Sequence, residues 1–333
     1  MPTLVNHRKA KIAVLIAVTT ITALFHFFIP TEQHTAHMLH IALRKLYFLP
    51  PVMAGVWFGL GGSVYATAAV SALFIVHTFF DWPGNYMEQA NQIGELASFW
   101  VVGLISGWLF DRQRLLTEQL ARANEETYLS LVSALDLRER DTSLHSQRVR
   151  DFTLLLADRM GVPEEQKRII GLGALLHDVG KIAVSDRILL KPAGLSAEER
   201  MEMRRHSAEG YRLLKPISSL AEAAEIVYAH HERFDGTGYP KGLKGKDIPL
   251  GARLFAVADV FDALTSNRPY RRAAGYEEVL RIISEEAGKH FDPLVVAAFR
   301  SIKPWEWMIL RANYDEAGSR YPFWEAQLAA KTA

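Results

Sequence analysis

Histidine and carboxylate residues are the side chains whose types and spacing could do chemistry in this chain. The second half holds an adjacent His-Asp pair at 177–178 and an adjacent His-His pair at 230–231, and His145, His206 and Asp259 lie in the same half. Imidazole and carboxylate ligands without sulfur suit iron, manganese, nickel, cobalt or zinc, and more than four ligands suit two or more ions. A single histidine is more often a packing or surface residue, so the prediction of a metal centre rests on the whole set.

Two further features of the sequence narrow this chemistry. The chain has no cysteine, which excludes disulfides, thiolate metal sites, iron–sulfur clusters and cysteine nucleophiles. Asp259 lies in the apolar run VADVFDAL, and a buried carboxylate costs free energy unless it is paired or bound to a metal. Neutral imidazole ligands need acceptors for their other N–H group, and Glu232 is one candidate acceptor.

Helices are the elements predicted to position these residues. Apolar residues recur with helical spacing in 168–177, and Ser196 and Glu199 form a capping box typical of a helix start. The stretches 217–233 and 250–264 also favour helices, and alternating strand patterns are missing. We therefore predict an all-α fold.

Length and charge divide the chain into two parts of different character. Its 333 residues suggest about two domains. Lys plus Arg total 38 and Asp plus Glu total 37, for a net charge of +1. This balance excludes a strongly basic nucleic-acid binder, so no nucleic-acid polymer is expected as a partner. Charged residues are scarce before about residue 110 and dense after it.

Residues 1–110 are predicted to form a membrane region. The 19 residues 12–30 contain no Asp, Glu, Lys or Arg, and they are about long enough to cross a ~30 Å hydrocarbon core at ~1.5 Å per residue. Residues 47–80 also lack these four types and are too long for one span, so the glycines within 59–62 predict a turn between two passes. With 96–110, four transmembrane helices are predicted; two spans, or buried soluble helices, are the alternatives.

Residues 111–130 are predicted to form a helical stalk because they contain neither Pro nor Gly and are rich in Leu, Ala, Glu and Arg. Leu116, Leu120 and Ala123 follow a heptad-like spacing that Thr127 breaks. A plain helical spacer and a stalk that joins two copies into a homodimer both remain open.

Besides His7 near the N-terminus, five histidines fall in or near the membrane region, namely His26, His34, His37, His40 and His77. Histidines there could bind haem or a metal ion as part of a sensor. Scattered histidines in such a region are more often structural or interfacial, and no motif assigns a ligand to them.

Seven sequence blocks between residues 134 and 299 carry a resemblance to a known family. They are ALDLRERDTSLHSQRV (134–149), LLHDVGKIAV (175–184), LLKPAGLSAEE (189–199), RRHSAEGYRLL (204–214), AHHERFDGTGYPKGLKGKDIP (229–249), ARLFAVADVFDALTSNRPYRRA (252–273) and HFDPLVVAAF (290–299). In these blocks the chain resembles the HD-GYP domain, a branch of the HD phosphohydrolase superfamily, over residues 131–305, with 306–333 as a C-terminal tail. The resemblance implies an all-helical domain that hydrolyses the bacterial messenger cyclic di-GMP to linear pGpG, and in some members to GMP. It also implies two or three divalent metal ions, commonly iron or manganese.

The resemblance implies the metal ligands residue by residue. The superfamily core is matched by His145, His177, Asp178 and Asp259, and the additional ligands of the HD-GYP branch by His206, His230 and His231. Asp178 is expected to act in catalysis as the carboxylate that bridges two metals. Two metals about 3.5–4 Å apart would lower the pKa of a bridging water and stabilise developing charge.

Two further positions of this centre also follow from the resemblance. Lys181 is expected to meet a phosphate oxygen or the leaving group. Asp141 precedes His145 by one helical turn, where trinuclear members have a Glu. Two roles remain open for Asp141. It is either a ligand of a third metal ion or an aspartate that is solvated or caps a helix N-terminus.

Substrate-binding residues are implied in the same way. Gly238, Tyr239 and Pro240 match the GYP signature next to the substrate, and Arg268 and Arg271 match positions that hold the phosphates. Arginine forks suit phosphate oxygens because they donate two parallel hydrogen bonds.

These expectations combine into a membrane-anchored cyclic di-GMP phosphodiesterase in the bacterial inner membrane. The basic residues that flank the first and last spans are Arg8, Lys9, Lys11, Arg112 and Arg114. Because positive charge favours the cytoplasmic side of a membrane, they predict a catalytic domain in the cytoplasm. Two other functions stay open: a receptor or scaffold that binds the nucleotide without turnover, and a metal phosphohydrolase that acts on another nucleotide.

Overall fold

The computed structural model describes residues 2–28, 34–81, 86–139, 144–266 and 272–315. Within these ranges the chain is built of α-helices joined by short 3₁₀ turns, without a β-strand, which confirms the all-α prediction. The chain divides into two compact units at residues 124/125. We call them the first unit and the second unit.

Three long apolar helices and one short helix form the described part of the first unit, and the last of them continues into the second. They are α1 Pro2–Phe28, α2 His34–Arg44, α3 Leu49–Asp81 and α4 Tyr86–Glu139, with a 3₁₀ turn at Lys45–Phe48. Among the described residues, three stretches are long and apolar enough to cross a membrane, namely Arg8–Phe28, Leu39–His77 and Gln89–Glu139. The sequence predicts four transmembrane helices, and the difference arises in the second stretch.

Gly59 is the point at which α3 reverses direction. Its φ of 70° and ψ of −157° interrupt the helical backbone, in a region of φ that favours glycine. Oγ of Ser63 donates a hydrogen bond to the carbonyl oxygen of Pro51 at 2.9 Å, whereas a straight helix would place residues twelve apart about 18 Å from each other. The segments 49–58 and 60–81 therefore lie side by side, and the chain turns within the segment where the sequence predicts a turn.

Asp111, in the middle of α4, contacts this turn. Its Oδ2 accepts a hydrogen bond from the amide of Leu60 at 2.8 Å, and the guanidinium of Arg114 donates to the carbonyl oxygen of Val56. A Cβ at Gly59 would overlap the carboxylate of Asp111. Only glycine therefore allows this close approach.

The second unit contains the end of α4 and shorter helices. They are α5 His145–Arg159, α6 Glu164–Leu175, α7 Asp186–Leu189, α8 Ala197–Arg204, α9 His206–Leu214, α10 Ala221–Ala229, α11 Leu250–Thr265, α12 Tyr276–Glu285, α13 Pro293–Ser301 and α14 Pro304–Asp315. The predicted capping box opens α8, with Ser196 and Glu199 each accepting from the other's backbone amide. Two 3₁₀ turns lie at Val179–Ala183 and Gly245–Asp247.

An aromatic core holds the helices of the second unit in place. Phe152, Phe261, Phe299 and Trp307 are buried and contact one another edge-on or tilted, with ring centroids 4.5–5.5 Å apart. α5 packs on both α6 and α11. These three helices carry or adjoin the predicted ligands, so the core fixes the direction in which those side chains point.

Candidate metal centre

Most of the predicted ligands sit at or near helix ends. His145 opens α5 after Leu144, which has a left-handed backbone with φ of 53°. His206 opens α9, while His177 and His230 follow the C-terminal ends of α6 and α10. Side chains at helix ends from different parts of the chain thereby converge without burying a whole polar helix face.

Three of these histidines are oriented by the backbone in the same way. Nδ1 of His177, His206 and His230 lies 2.9, 2.7 and 2.6 Å from the carbonyl oxygen three residues earlier. Because a carbonyl can only accept, Nδ1 must carry the proton in each ring. In the neutral form of each ring, Nε2 is therefore the atom with a lone pair for a metal. Glu232, the acceptor suggested by the sequence, does not serve these three rings.

The Nε2 atoms of His206 and His230 face each other at 3.2 Å. With both protons on Nδ1, two lone pairs meet and no proton lies between them. Metal–nitrogen bonds of about 2.0–2.1 Å place two nitrogens about 3 Å apart around one ion, so this separation fits a shared cation. His231 completes the group, since one ligand atom from each of the three residues lies within 4.8 Å of the others.

Asp178 lies between two sets of histidines. Its Oδ2 is 3.0 Å from Nε2 of His177, and its Oδ1 is 3.4 Å from Nε2 of His206. Burial opposes ionisation, but His177 and Lys181 hold the pKa of Asp178 well below its ordinary value. A carboxylate that stays ionised and faces two histidine groups with different oxygens fits the bridging position that the resemblance implies.

His145 and Asp259 form the other side of the centre. Nε2 of His145 lies 3.3 Å from Oδ1 of Asp259, and its Nδ1 lies 2.7 Å from Oδ2 of Asp262. Arg148 holds Asp262 with two hydrogen bonds of 2.7 and 3.0 Å. Asp262 and Arg148 are positioning residues that the ligand prediction missed, although the helical spacing of Asp259 and Asp262 within α11 offered a signal.

The pKa values of four of these histidines are shifted, and not all in the same direction. Burial, with the neighbouring imidazoles, lowers the pKa of His206, takes that of His231 to about 4 and pushes that of His230 well below its ordinary value. These rings are neutral at pH 7, as metal binding requires. Burial also disfavours a charged His145, but Asp259 and Asp262 raise its pKa to about 10. A metal would there take the place of the Nε2 proton.

Lys181 is tied to the same carboxylate by a short ion pair. Its Nζ lies 2.8 Å from Oδ2 of Asp178 and 3.0 Å from Oε2 of Glu139, the last residue of α4. The adjacent Arg138 donates to the carbonyl oxygens of Lys181 and Ile182 at 3.0 and 3.3 Å. The end of α4 therefore fixes the segment that follows the His-Asp pair. No sequence motif predicted this contact between α4 and that segment.

The GYP segment lies against the histidine group. The ring of Tyr239 stacks on His231 with centroids 4.7 Å apart and 28° between planes, and the guanidinium of Arg204 lies 4.8 Å above the tyrosine ring. A Cβ at Gly238 would overlap the amide nitrogen of Arg233. Pro240 follows Tyr239 through a cis peptide bond.

Glu232 holds the loop that continues from this segment. It is buried, and its carboxylate accepts hydrogen bonds from the amides of Lys241, Gly242 and Leu243 at 2.7, 3.1 and 3.0 Å. Its role is thus to anchor the loop. Asp141, Arg268 and Arg271 lie outside the described residues, so their predicted roles stay predictions.

Comparisons with known proteins show which family and which relatives this chain resembles. Residues 130–295 match the family described as HD domain. The cyclic di-GMP phosphodiesterase response regulator RpfG of Xanthomonas campestris pv. campestris is 43% identical over 190 residues, covering 56% of this chain and 50% of that protein. A cyclic di-GMP phosphodiesterase of Thermotoga maritima is 42% identical over 183 residues, covering 54% and 50%.

A relative with a different named substrate is similar over a longer stretch. The 3′3′-cGAMP-specific phosphodiesterase 2 of Vibrio cholerae serotype O1 is 36% identical over 213 residues, covering 63% of this chain and 40% of that protein. The chain spans about half the length of the first curated relatives it matches. The helical architecture, the converging ligand set and the family match lead to one conclusion: residues 130–295 of this chain belong to the HD domain family.

Proposed function

We propose that this chain is a membrane-anchored, metal-dependent phosphodiesterase that hydrolyses cyclic di-GMP to linear pGpG, with hydrolysis to GMP as a second step to be tested. The observation that carries the proposal is the pair of facing Nε2 atoms of His206 and His230, 3.2 Å apart, beside the ionised Asp178. A nucleotide receptor without turnover would not need such a set of metal ligands. The curated relatives with cyclic di-GMP phosphodiesterase in their names support the reaction and the substrate.

Two or three divalent ions, iron or manganese, would be held by the ligands described above, with Asp141 as the candidate ligand of the third. When bound, they would supply positive charge that lowers the pKa of a water molecule and stabilises a phosphoryl oxygen. In the reaction the water oxygen bonds to phosphorus as the P–O3′ bond breaks, and the leaving oxygen takes up a proton. Asp178 would hold the centre together because its two oxygens face different histidines.

Lys181 would act on the leaving-group side of this reaction. Burial works against its charge, but Asp178 and Glu139 raise its pKa above the ordinary value. Its ammonium group is therefore protonated at pH 7 and could stabilise the developing negative charge on the 3′-oxygen or donate a proton to it.

Tyr239 and Arg204 lie beside the metal ligands, and the tyrosine ring is covered by His231 and by the guanidinium of Arg204. Arg204 would meet a phosphate of the substrate, since an arginine suits phosphate oxygens. Gly238 and Pro240 would shape this contact, and Arg268 and Arg271 are proposed as further phosphate contacts on the basis of the resemblance.

The first unit would anchor the protein in the lipid bilayer of a bacterial inner membrane. The HD domain would then lie in the cytoplasm. The apolar stretches of α1, α3 and α4 support a membrane region, and the reversal at Gly59 supports four passes rather than three. Leu116 and Leu120 are exposed on α4, which is compatible with a homodimer through residues 111–130.

The test is turnover by the full chain, purified in detergent without oxygen and supplied with Fe²⁺ or Mn²⁺. Cyclic di-GMP, 3′3′-cGAMP and pGpG are followed separately by chromatography, with His177→Ala/Asp178→Ala as the inactive control. We expect cyclic di-GMP to be opened by the wild type only. A folded protein that binds the nucleotide but forms no product would make the receptor function the better proposal.

The second candidate function is hydrolysis of 3′3′-cGAMP. The specific reason is the 36% identity to the Vibrio cholerae phosphodiesterase named for that substrate. Faster turnover of 3′3′-cGAMP than of cyclic di-GMP at equal concentrations would favour this candidate.

A further inference from the structure

Three histidines from three different helices meet inside the first unit. They are His26 of α1, His40 of α2 and His77 of α3, and each is at most 1% exposed. One ligand nitrogen from each residue lies within 4.8 Å of those of the other two. The sequence places these residues far apart, so only the packing of the helices creates the cluster.

The three imidazole rings are in direct contact. The ring centroids of His26 and His77 are 3.8 Å apart with 24° between planes, those of His26 and His40 are 4.6 Å apart, and those of His40 and His77 are 5.2 Å apart. Nitrogens that bind one tetrahedral ion at about 2.0–2.1 Å lie about 3.3 Å from one another. Binding of one ion therefore requires the rings to turn as well as to approach, because His26 and His77 are stacked with 24° between planes and their in-plane lone pairs do not point to one position.

Aromatic side chains enclose the cluster. The buried ring of Tyr47 meets His26 edge-on at 5.2 Å, Phe74 stacks on His26 at 5.7 Å, and Phe27 meets His77 edge-on at 4.9 Å. Both ring nitrogens of His26 are buried without a hydrogen-bond partner. Burying a polar group without a partner costs free energy, and polar residues inside membrane helices commonly mark functional sites.

The one carboxylate of a neighbouring group of charges is shared between two basic side chains, which leaves the group with a net charge of +1. Glu95 lies 3.4 Å from Nε of the buried Arg44 and also pairs with Lys45. The three histidines themselves supply only nitrogen donors. Nitrogen ligands suit zinc, copper, nickel and cobalt, whereas magnesium and calcium prefer oxygen.

We propose that His26, His40 and His77 bind one divalent transition-metal ion of the zinc type within the first unit. The ion would satisfy one of the two buried nitrogens of His26 and would join α1, α2 and α3 through one centre. Three histidine ligands leave a fourth position open for water or an exogenous ligand. This site is separate in its residues from the candidate centre of the HD domain, and it does not depend on the function proposed for that centre.

The test uses Co²⁺ as a probe on the full chain in detergent, because tetrahedral cobalt has visible absorption bands. An Asp178→Ala/His206→Ala background weakens the centre of the HD domain, and equilibrium dialysis counts the remaining cobalt. Adding His77→Gln should remove one cobalt per chain, with an affinity loss of more than about 100-fold. The matched control His290→Gln, in the same background, should leave cobalt binding unchanged.

A cysteine substitution gives a readout that a structural role for the histidines would not produce. The chain contains no cysteine, so His40→Cys introduces a single thiol. If residue 40 is a ligand, this variant should gain a thiolate-to-cobalt charge-transfer band in the near ultraviolet. Cobalt binding that is unaffected by both His77→Gln and His26→Gln, or a folded His40→Cys protein without that band, would overturn the proposal.

Discussion

Nδ1 of His145 lies 2.7 Å from Oδ2 of Asp262, a carboxylate that is 1% exposed. Arg148 binds both oxygens of the same carboxylate. The orientation of the His145 ring is therefore set by a fixed partner, and its Nε2 is directed to Asp259 at 3.3 Å. Carboxylates that hold a ligand histidine in this way increase metal affinity without touching the metal.

Asp262→Asn should lower metal affinity about 10–100-fold, because an amide orients the imidazole less strongly than a carboxylate does. Isothermal titration of metal-depleted protein with Mn²⁺ measures this effect. Turnover should recover at high Mn²⁺ concentration, since no metal ligand is lost. Turnover that stays low at saturating Mn²⁺ would contradict a positioning role.

Asp292→Asn is the matched control for this variant. Asp292 is also buried and also pairs with an arginine, Arg253, and its carboxylate caps α13 by accepting from the amide of Leu294 at 2.8 Å. Because asparagine caps a helix about as well as aspartate, we expect a loss of stability only from the weakened pair with Arg253, and unchanged Mn²⁺ affinity. Equal losses of affinity in both variants would point to general destabilisation.

His206→Ala should abolish high-affinity binding of one ion, because it removes one of the two facing Nε2 atoms. Metal content after gel filtration, measured by inductively coupled plasma mass spectrometry, should fall by about one ion per chain relative to the wild type. Turnover should fall with it by at least about 100-fold.

His290→Ala provides the comparison because His290 is the one histidine of residues 125–333 that does not belong to the predicted ligand set. Its metal content should match that of the wild type. If the two alanine variants lost the same amount of metal, the assignment of His206 as a ligand would be wrong.

Gly238→Ala should disturb the segment that carries Tyr239. The new Cβ would overlap the amide nitrogen of Arg233 and lie 2.5 Å from Cα of Glu232, and rigid backbone atoms cannot move aside as flexible side chains do. We expect a stability loss of about 1–3 kcal/mol and a raised KM for cyclic di-GMP. Thermal unfolding and steady-state kinetics measure the two effects.

Gly194→Ala tests whether any added methyl group would do the same. No heavy atom lies within 4 Å of the position its Cβ would take. Both stability and KM should stay close to those of the wild type. A Gly238→Ala protein with wild-type KM would exclude a substrate role for the segment.

Lys181→Met should lower kcat about 10²–10⁴-fold, because it removes the proton donor proposed for the leaving group and leaves Asp178 without its 2.8 Å partner. KM should change less than kcat. Lys181→Arg keeps the positive charge and should retain a larger part of kcat than Lys181→Met. Equal loss in both variants, with unchanged metal content, would speak against a role of the charge itself.

Local sequence patterns were sufficient for the fold class, and they were enough to nominate most of the candidate ligands. Helical spacing of apolar residues predicts helices because the period of 3.6 is a local property of the backbone. The same holds for the capping box at Ser196 and Glu199, which depends on residues three positions apart. The His-Asp and His-His pairs could be recognised because their chemistry is unusual in an apolar setting, and the resemblance then supplied Asp178 as the bridging carboxylate.

Tertiary structure decided the features that join distant parts of the chain. The His145–Asp262–Arg148 arrangement depends on the packing of α5 on α11, and the contact of Glu139 with Lys181 joins residues 42 positions apart. The sequence suggested Glu232 as a partner for a ligand ring, yet the fold places its carboxylate under three loop amides. The cluster of His26, His40 and His77 likewise exists only because three helices meet. A spacing rule reports neighbours along one helix, whereas which helix faces meet is decided by the burial of side chains from the whole chain.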